Sequence, residues 1–383
     1  MTDRPADQAA TRISEIQAVD LDIPYDPPFR PAWQPGAVVS SRWFTLVRVT
    51  TEAGVNGWAG TDGHHAATVD RDVTPYLVGQ DAAAAQRHAR VLRNAGDLWF
   101  IDMAFWDIIG QVAGLPLYRL WGAARDCVRA YASSCEQGTP ADRAALARHY
   151  AGLGFRAMKL RFHHERIEDD LEALDAVRTA VPHLAVMVDA NQATCLPAPE
   201  PGVVWDYRRA LRTASELEKR GVLWLEEPLA RYDFDTLARL RTATPLDIAG
   251  GEYNRGLHEF RWMIERGVYD IIQGDGTVSE SVSQIRKAAA MAEMFGRKFV
   301  PHHGLSGLGL AAMLHLACSI PGPTWLELMY EPPGRTIETY QQLGGILRTA
   351  IQVDSDGRVR PPQAPGLGIA VDETLIPKYT VNQ

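Results

Sequence analysis

From about Arg125 onward, short apolar runs rich in β-forming residues alternate with amphipathic helical runs, and few folds accommodate that texture. The predicted strands are Val128–Ser133, Ala157–Arg161, Ala185–Asp189, Leu223–Glu226, Asp247–Gly251, Ile271–Gln273, Lys298–Pro301 and Trp325–Leu328. Helical patterns lie between them, among them Arg166–Ala180, Tyr207–Arg220, Phe234–Ala243, Leu257–Arg266, Ser281–Phe295 and Leu308–Cys318. Alternation of this kind predicts a parallel α/β fold, and eight strands in series predict a barrel rather than an open sheet. No G-x-G-x-x-G follows an early strand, which argues against a dinucleotide-binding fold.

The ends of these strands carry polar residues: Lys159-Leu160-Arg161, Asp189 with Asn191 after it, Glu226-Glu227-Pro228, Glu252, Asp275, His302-His303 and Glu327. They recur roughly every 23 to 37 residues, about one βα unit each. Barrel active sites are assembled from the C-terminal ends of several strands, so this spacing is the one a catalytic barrel needs. Three of the residues are carboxylates on consecutive strands, which lie about 4.8 Å apart. Carboxylates converging at that spacing repel one another and raise each other's pKa. A divalent cation relieves the conflict, and an all-oxygen ligand set selects Mg²⁺ or a similar hard ion. Residues adjacent on a strand point to opposite faces, so only one of Glu226 and Glu227, and one of His302 and His303, is expected to face the centre. The residues alone do not say which. His64, His65, His163 and His164 fall in loops, where a solvated histidine is the ordinary outcome.

The N-terminal part reads as α+β. Trp43–Thr50 alternates and leads through EAGVNGW into a second short strand, a hairpin signal, before helical patterns at Ala82–Leu92 and Phe100–Gln111 that Gly114 and Pro116 stop. After Tyr330 the chain is rich in Pro and Gly, and this tail is expected to return to the N-terminal part. The expected division is 1–125, 126–330 and 331–383. A net charge of −8 gives no footprint for nucleic acid. No stretch approaches the roughly 18 apolar residues of a membrane span, and the first residues do not read as a secretory signal. Cys127, Cys135, Cys195 and Cys318 form no C-x-x-C pair and are expected to be reduced thiols. A soluble, cytoplasmic protein is the expectation.

The motifs RAMKLRF, VDAN, WLEEP, AGGE, DIIQGD, VPHHG and WLEL, with FIDMAFWDIIGQVAGLPLYRLWG before them, resemble the enolase superfamily in its mandelate racemase-like branch. That branch includes many sugar-acid dehydratases. The resemblance covers nearly the whole chain. It implies a modified (β/α)₇β TIM barrel with an N-terminal α+β capping domain whose loops help choose the substrate, and a homo-oligomer of undetermined size. It also implies Asp189, Glu226 and Glu252 as ligands of Mg²⁺, His302 and Asp275 as a dyad, Glu327 as a donor to the substrate carboxylate, and Lys159 as the first lysine of the family's K-x-K motif. Arg161 stands where racemases carry the second lysine, and Gly274 where proline is common.

Arginine is a poor proton acceptor. A site with one base, His302, suits β-elimination of water from a polyhydroxy acid, giving a 2-keto acid, with Lys159 and Arg161 as electrostatic partners of the small-molecule carboxylate substrate. The alternatives are a racemase or epimerase, a lactone cycloisomerase and, from another class, a non-catalytic metal-binding relative. Specificity is expected from the capping loops Pro24–Gln34 and Thr61–Ala67 and from barrel loops near His163 and Cys195. The Pro-rich stretch Thr194–Val204 reads as a lid-like insertion.

Overall fold

A computed structural model of the chain describes residues 6–381 other than 195 and 305. The expectations for Cys195 and for the first five residues lie outside the described residues. Cys127, Cys135 and Cys318 are free thiols.

The N-terminal region is a three-stranded antiparallel sheet, β1 (Ile13–Phe29), β2 (Val39–Thr51) and β3 (Asn56–Asp62), in that order. The hairpin read from the sequence is β2–β3. The sequence pattern does not announce β1, because Pro24, Pro27 and Pro28 mask its alternation. It is an edge strand whose ladder partner is β2, with one isolated bridge from Leu21 to Thr380, and its register slips between Pro24 and Phe29, where prolines are tolerated. The span Pro24–Phe29, expected as a capping loop, therefore belongs to a strand, and the loop begins only after Phe29. The helix Asp102–Ala113 packs on β3 and ends at Gly114, whose φ of 67° is left-handed. Gly57 permits the close approach: a Cβ there would lie 2.1 Å from the Ala104 carbonyl oxygen.

The second sheet is parallel and curled, a modified TIM barrel capped by the first. Its strands are β4 (Val128–Ser133), β5 (Ala157–Arg161), β6 (Ala185–Asp189), β7 (Trp224–Glu226), β8 (Asp247–Gly250), β9 (Ile271–Ile272), β10 (Lys298–Phe299) and β11 (Trp325–Met329). They pair in sequence from β4 to β10, and β11 returns to pair with β4. Among the described residues no ladder joins β10 to β11. That seam is spanned by side chains: Thr324 Oγ1 donates to the Phe299 carbonyl at 2.8 Å, and His303 Nε2 donates to the Glu327 carbonyl at 2.9 Å. A final short strand, β12 (Arg358–Val359), lies antiparallel on β4.

The strand period of two dictates what fills the barrel. Tyr131, Ala157, Met187, Trp224, Ala249, Ile271 and Val300 form one buried apolar cluster, with Trp325 packed against it. Two residues further along each of these strands stand Ser133, Lys159, Asp189, Glu226, Gly251, Gln273, His302 and Glu327. An apolar plug thus closes the barrel, and a polar ring sits on it at the C-terminal ends.

The chain after β11 touches the first sheet at several points. Asp107 Oδ1 accepts from the Leu367 amide at 2.8 Å while its Oδ2 accepts from Trp58 N of β3 at 3.1 Å, and Val381 N donates to the Asp20 carbonyl at 2.9 Å. Among the described residues, no helix is long and apolar enough to cross a membrane.

Candidate active site

Asp189, at the end of β6, is in register with Arg161 on β5 and Glu226 on β7, so three charged side chains meet at adjacent strand ends. Lys159 lies below them. Its Nζ is 2.7 Å from Glu226 Oε1, 3.1 Å from Glu327 Oε1 and 3.4 Å from Asp189 Oδ2. Burial alone would lower its pKa, but Glu226 and Glu327 outweigh that and hold the ammonium well above its ordinary value. Trp224 Nε1 donates to the other Glu226 oxygen at 3.1 Å.

Arg161 is fixed on every side. Its Nε donates to the Ser134 carbonyl and its Nη2 to Ser133 Oγ, both at 2.9 Å. Its Nη1 pairs with Asp189 and reaches Asn191 Oδ1 at 3.2 Å. The guanidinium carbon lies 4.9 Å from the Trp33 ring centroid. Despite its burial, Asp189 and Glu327 raise its pKa further, so it stays a cation.

His302 Nδ1 is 2.6 Å from Asp275 Oδ2, and its Nε2 is 3.1 Å from Glu252 Oε2 and 3.7 Å from Glu327 Oε2. Burial opposes charge on this ring, yet Glu252 and the bond to Asp275 raise its pKa to about 10. Asp275 moves the other way: burial is outweighed by the bond to His302, and its pKa falls. Its second oxygen accepts from Thr277 N and Oγ1, each at 2.6 Å. Gly304 leaves room for that hydroxyl, since a Cβ there would lie 1.8 Å from Thr277 Oγ1. His303 turns away, to the Glu327 carbonyl and to Tyr340, and burial lowers it to about 4. Of the two neighbours, His302 is the one that lines the cavity.

Glu227 departs from the alternation rule. β7 ends at Glu226, and Glu227 has a φ of 45°, outside strand geometry. Its carboxyl group is buried, neither oxygen has a hydrogen-bond partner, and burial with repulsion from Glu252 and Asp189 pushes its pKa well up. Strand alternation therefore does not decide which of the two glutamates faces the centre. Burial also raises Glu226 and Glu252, with Asp189 adding to the first and Glu226 to the second.

Six carboxyl groups (Asp189, Glu226, Glu227, Glu252, Asp275, Glu327) therefore share this region with three cations (Lys159, Arg161, His302). The surplus of buried negative charge, with unpartnered oxygens on Glu227, has the character of a divalent-cation site. Among the described residues, no three His, Cys, Asp or Glu side chains are already grouped to hold an ion. Lys159 occupies the middle of the carboxylates instead.

Above the ring lies a cavity of about 270 Å³ lined by Arg161, Asn191, Glu252, Asp275 and His302 from the barrel and by Trp33, Thr61 and Asp62 from the cap. Thr194, Leu196, Tyr253, Val278, Gly304 and Met329 complete it. The stretch read as a lid is joined to the cap: Gln34 Nε2 donates to the Pro197 carbonyl at 2.9 Å, and Glu200 N donates to the Pro35 carbonyl at 3.1 Å. Among the loop histidines, His163 is one bond removed from the cavity through Asn191 at 3.1 Å, and burial lowers it to about 4. His164 pairs with Asp170, and His64 lies against Trp43 with the rings tilted by 42°. The strand-end pattern passes over Trp33, Ser133, Gln273 and Thr277, which also belong to the site. Counting two residues on from each apolar plug position reaches Ser133 and Gln273; Trp33 lies in the expected capping loop Pro24–Gln34, and nothing local marks Thr277.

Comparison with known proteins gives a consistent set of matches. Residues 19–122 match the N-terminal domain of the mandelate racemase/muconate lactonizing enzyme family, and residues 142–375 match the enolase C-terminal domain-like family. The chain is 32% identical to a D-galactonate dehydratase of Ralstonia pickettii, over 88% of this chain and 90% of that one. It is 29% identical to a D-galactarolactone cycloisomerase of Agrobacterium fabrum, over 96% and 98%. The fold matches that of a Streptomyces coelicolor racemase solved with bound magnesium, with a TM-score of 0.81 at 24% identity, covering 96% of this chain and 100% of that one.

Proposed function

Since the chain belongs to the mandelate racemase-like branch of the enolase superfamily, we propose that it catalyses Mg²⁺-dependent removal of the proton α to a carboxylate, followed by β-elimination of water from a sugar acid or related hydroxy acid to give a 2-keto acid. Asp189, Glu226 and Glu252 would hold the ion, which fits the buried surplus of carboxylates described above. When bound, Mg²⁺ supplies a Lewis acid for the substrate carboxylate and offsets the negative charge at Glu252 that favours the His302 imidazolium.

The chain's own residues do the rest. His302 is the base. Ionised Asp275 can only accept, so it fixes the proton on Nδ1 and leaves Nε2 to take the α-proton. Removing that proton places a second negative charge on an already anionic group, and Lys159 and Arg161 stabilise it as it forms. Glu327 would donate to the substrate carboxylate only when protonated, whereas its burial is outweighed by Lys159, His302 and Arg161, which hold it ionised, so the donor role expected of it is not supported in this arrangement. The protonated His302 then returns its proton to the departing β-hydroxyl, and the enol tautomerises to the keto acid.

The observation that carries elimination over racemisation is the state of the opposite side. Arg161 stands where a second base would be needed, and its guanidinium, paired with Asp189, is no ready proton acceptor. A panel of acid sugars incubated with the protein and Mg²⁺, read for 2-keto acid, tests this reading. Solvent deuterium entering at Cα without loss of water would replace it with epimerisation.

A further inference from the structure

The two ends of the cavity differ in charge. At the barrel end two cations, Arg161 and His302, line the cavity beside the carboxylates Glu252 and Asp275. At the cap end the charged lining group is Asp62, with Thr61, Trp33 and Leu196 around it. Behind that wall Arg42, almost fully buried, is the counter-ion of Asp62: its Nε donates to Asp62 Oδ1 at 2.6 Å and its Nη1 to the Tyr340 carbonyl at 3.1 Å, while its buried Nη2 has no hydrogen-bond partner. Arg231, behind Tyr253, donates to the Tyr253 carbonyl at 2.7 Å. Neither lines the cavity.

A second carboxylate on the substrate would thus leave water to face a carboxylate and an indole, with no cation to receive it. Like charges placed opposite each other across a binding site act against the wrong ligand. A hydroxyl at the same place meets the opposite situation, since it can donate to Asp62 and exchange hydrogen bonds with Thr61. The cavity is also small beside the roughly 300–1,000 Å³ of drug-sized sites, which suits a short acid.

We propose that this cavity selects monocarboxylic hydroxy acids with a neutral, hydroxylated far end over dicarboxylic acids of the same length, and that Asp62 at the end of β3 is the discriminating residue. The inference rests on the elimination reading only for which end of the substrate lies at His302.

The test is calorimetric binding, with Mg²⁺ at neutral pH, of aldonic and aldaric acids matched in carbon number and configuration. At least one aldonate should bind about tenfold or more tightly than its aldarate partner, a difference of about 1.4 kcal/mol. Asp62→Asn should shrink that ratio severalfold by improving aldarate binding. Equal or tighter binding of the aldarates, or no binding of any aldonate, overturns the selectivity. An unchanged ratio in a folded Asp62→Asn protein removes Asp62 as its source. Keto-acid assay of the tighter ligand separates the two readings: a preferred aldonate that yields no keto acid counts against elimination and leaves the selectivity standing.

Discussion

Asp275 Oδ2 lies 2.6 Å from His302 Nδ1, so one imidazole nitrogen is committed to a buried carboxylate and the other points toward Glu252 and the cavity. His302→Asn should cut keto-acid formation by about 10²–10⁴-fold, the usual weight of a general base. Asp275→Asn should also lower the rate and shift its pH profile, because an amide cannot hold the ring as a charge does. Both are checked by steady-state assay beside thermal melts. Full activity in His302→Asn would remove it as the base.

The metal proposal separates neighbouring glutamates. Mg²⁺ at about 100 times its dissociation constant should stabilise the protein by about 2.7 kcal/mol, and chelation should reverse this. Glu226→Gln and Glu252→Gln should lose most of that response in a thermal-shift titration. Glu227→Gln should keep it if the ligand is Glu226, the residue that ends β7. Loss of the response in Glu227→Gln alone would reassign the ligand.

Arg161→Lys preserves charge and discards geometry. The guanidinium bonds Ser134, Ser133 and Asn191 at once and stacks on Trp33, which a single ammonium cannot reproduce. Keto-acid turnover should fall about tenfold or more. Deuterium exchange at Cα of recovered substrate should appear in this variant if the lysine becomes a second acid/base. Wild-type turnover in Arg161→Lys would show that the fork is dispensable.

How much of the molecule is legible in its sequence depends on how local each signal is. Strand ends are legible because apolar runs and polar stops repeat along the chain, and the order β4 to β11 comes from that repetition. β1 stays hidden because its prolines are harmless only on an edge, and being an edge is a property of the folded sheet. Glu227 defeats the two-face rule because that rule applies only inside a strand, and the strand stops one residue earlier. Trp33 stacks on Arg161 across about 130 residues of chain, a contact that no local pattern encodes.

Stability should respond to pH through Asp102. Burial raises its carboxyl to about 7 although Ser283 N and Oγ donate to it at 2.8 and 2.9 Å. The folded chain therefore keeps a proton that the unfolded chain, with a pKa near 3.8, releases. Stability should fall as pH rises from about 4 to 7, by up to about 1.4 kcal/mol per unit. Asp107, raised to about 6 by burial, acts in the same window. Denaturant melts across this range should be flatter for Asp102→Asn. An unchanged slope would mean that Asp102 is ionised in the folded protein at neutral pH.

The bonds from Leu367 to Asp107 and from Val381 to Asp20 bear on how the chain is made. The first sheet and its helix gain partners from residues the ribosome delivers long after them. Until then the Asp20 carbonyl and Asp107 Oδ1 await donors more than 250 residues away along the chain, while Asp107 Oδ2 already has Trp58 N. Vectorial folding, which favours N-terminal units, can shape this cap early but completes it only once the stretch 367–381 has been made.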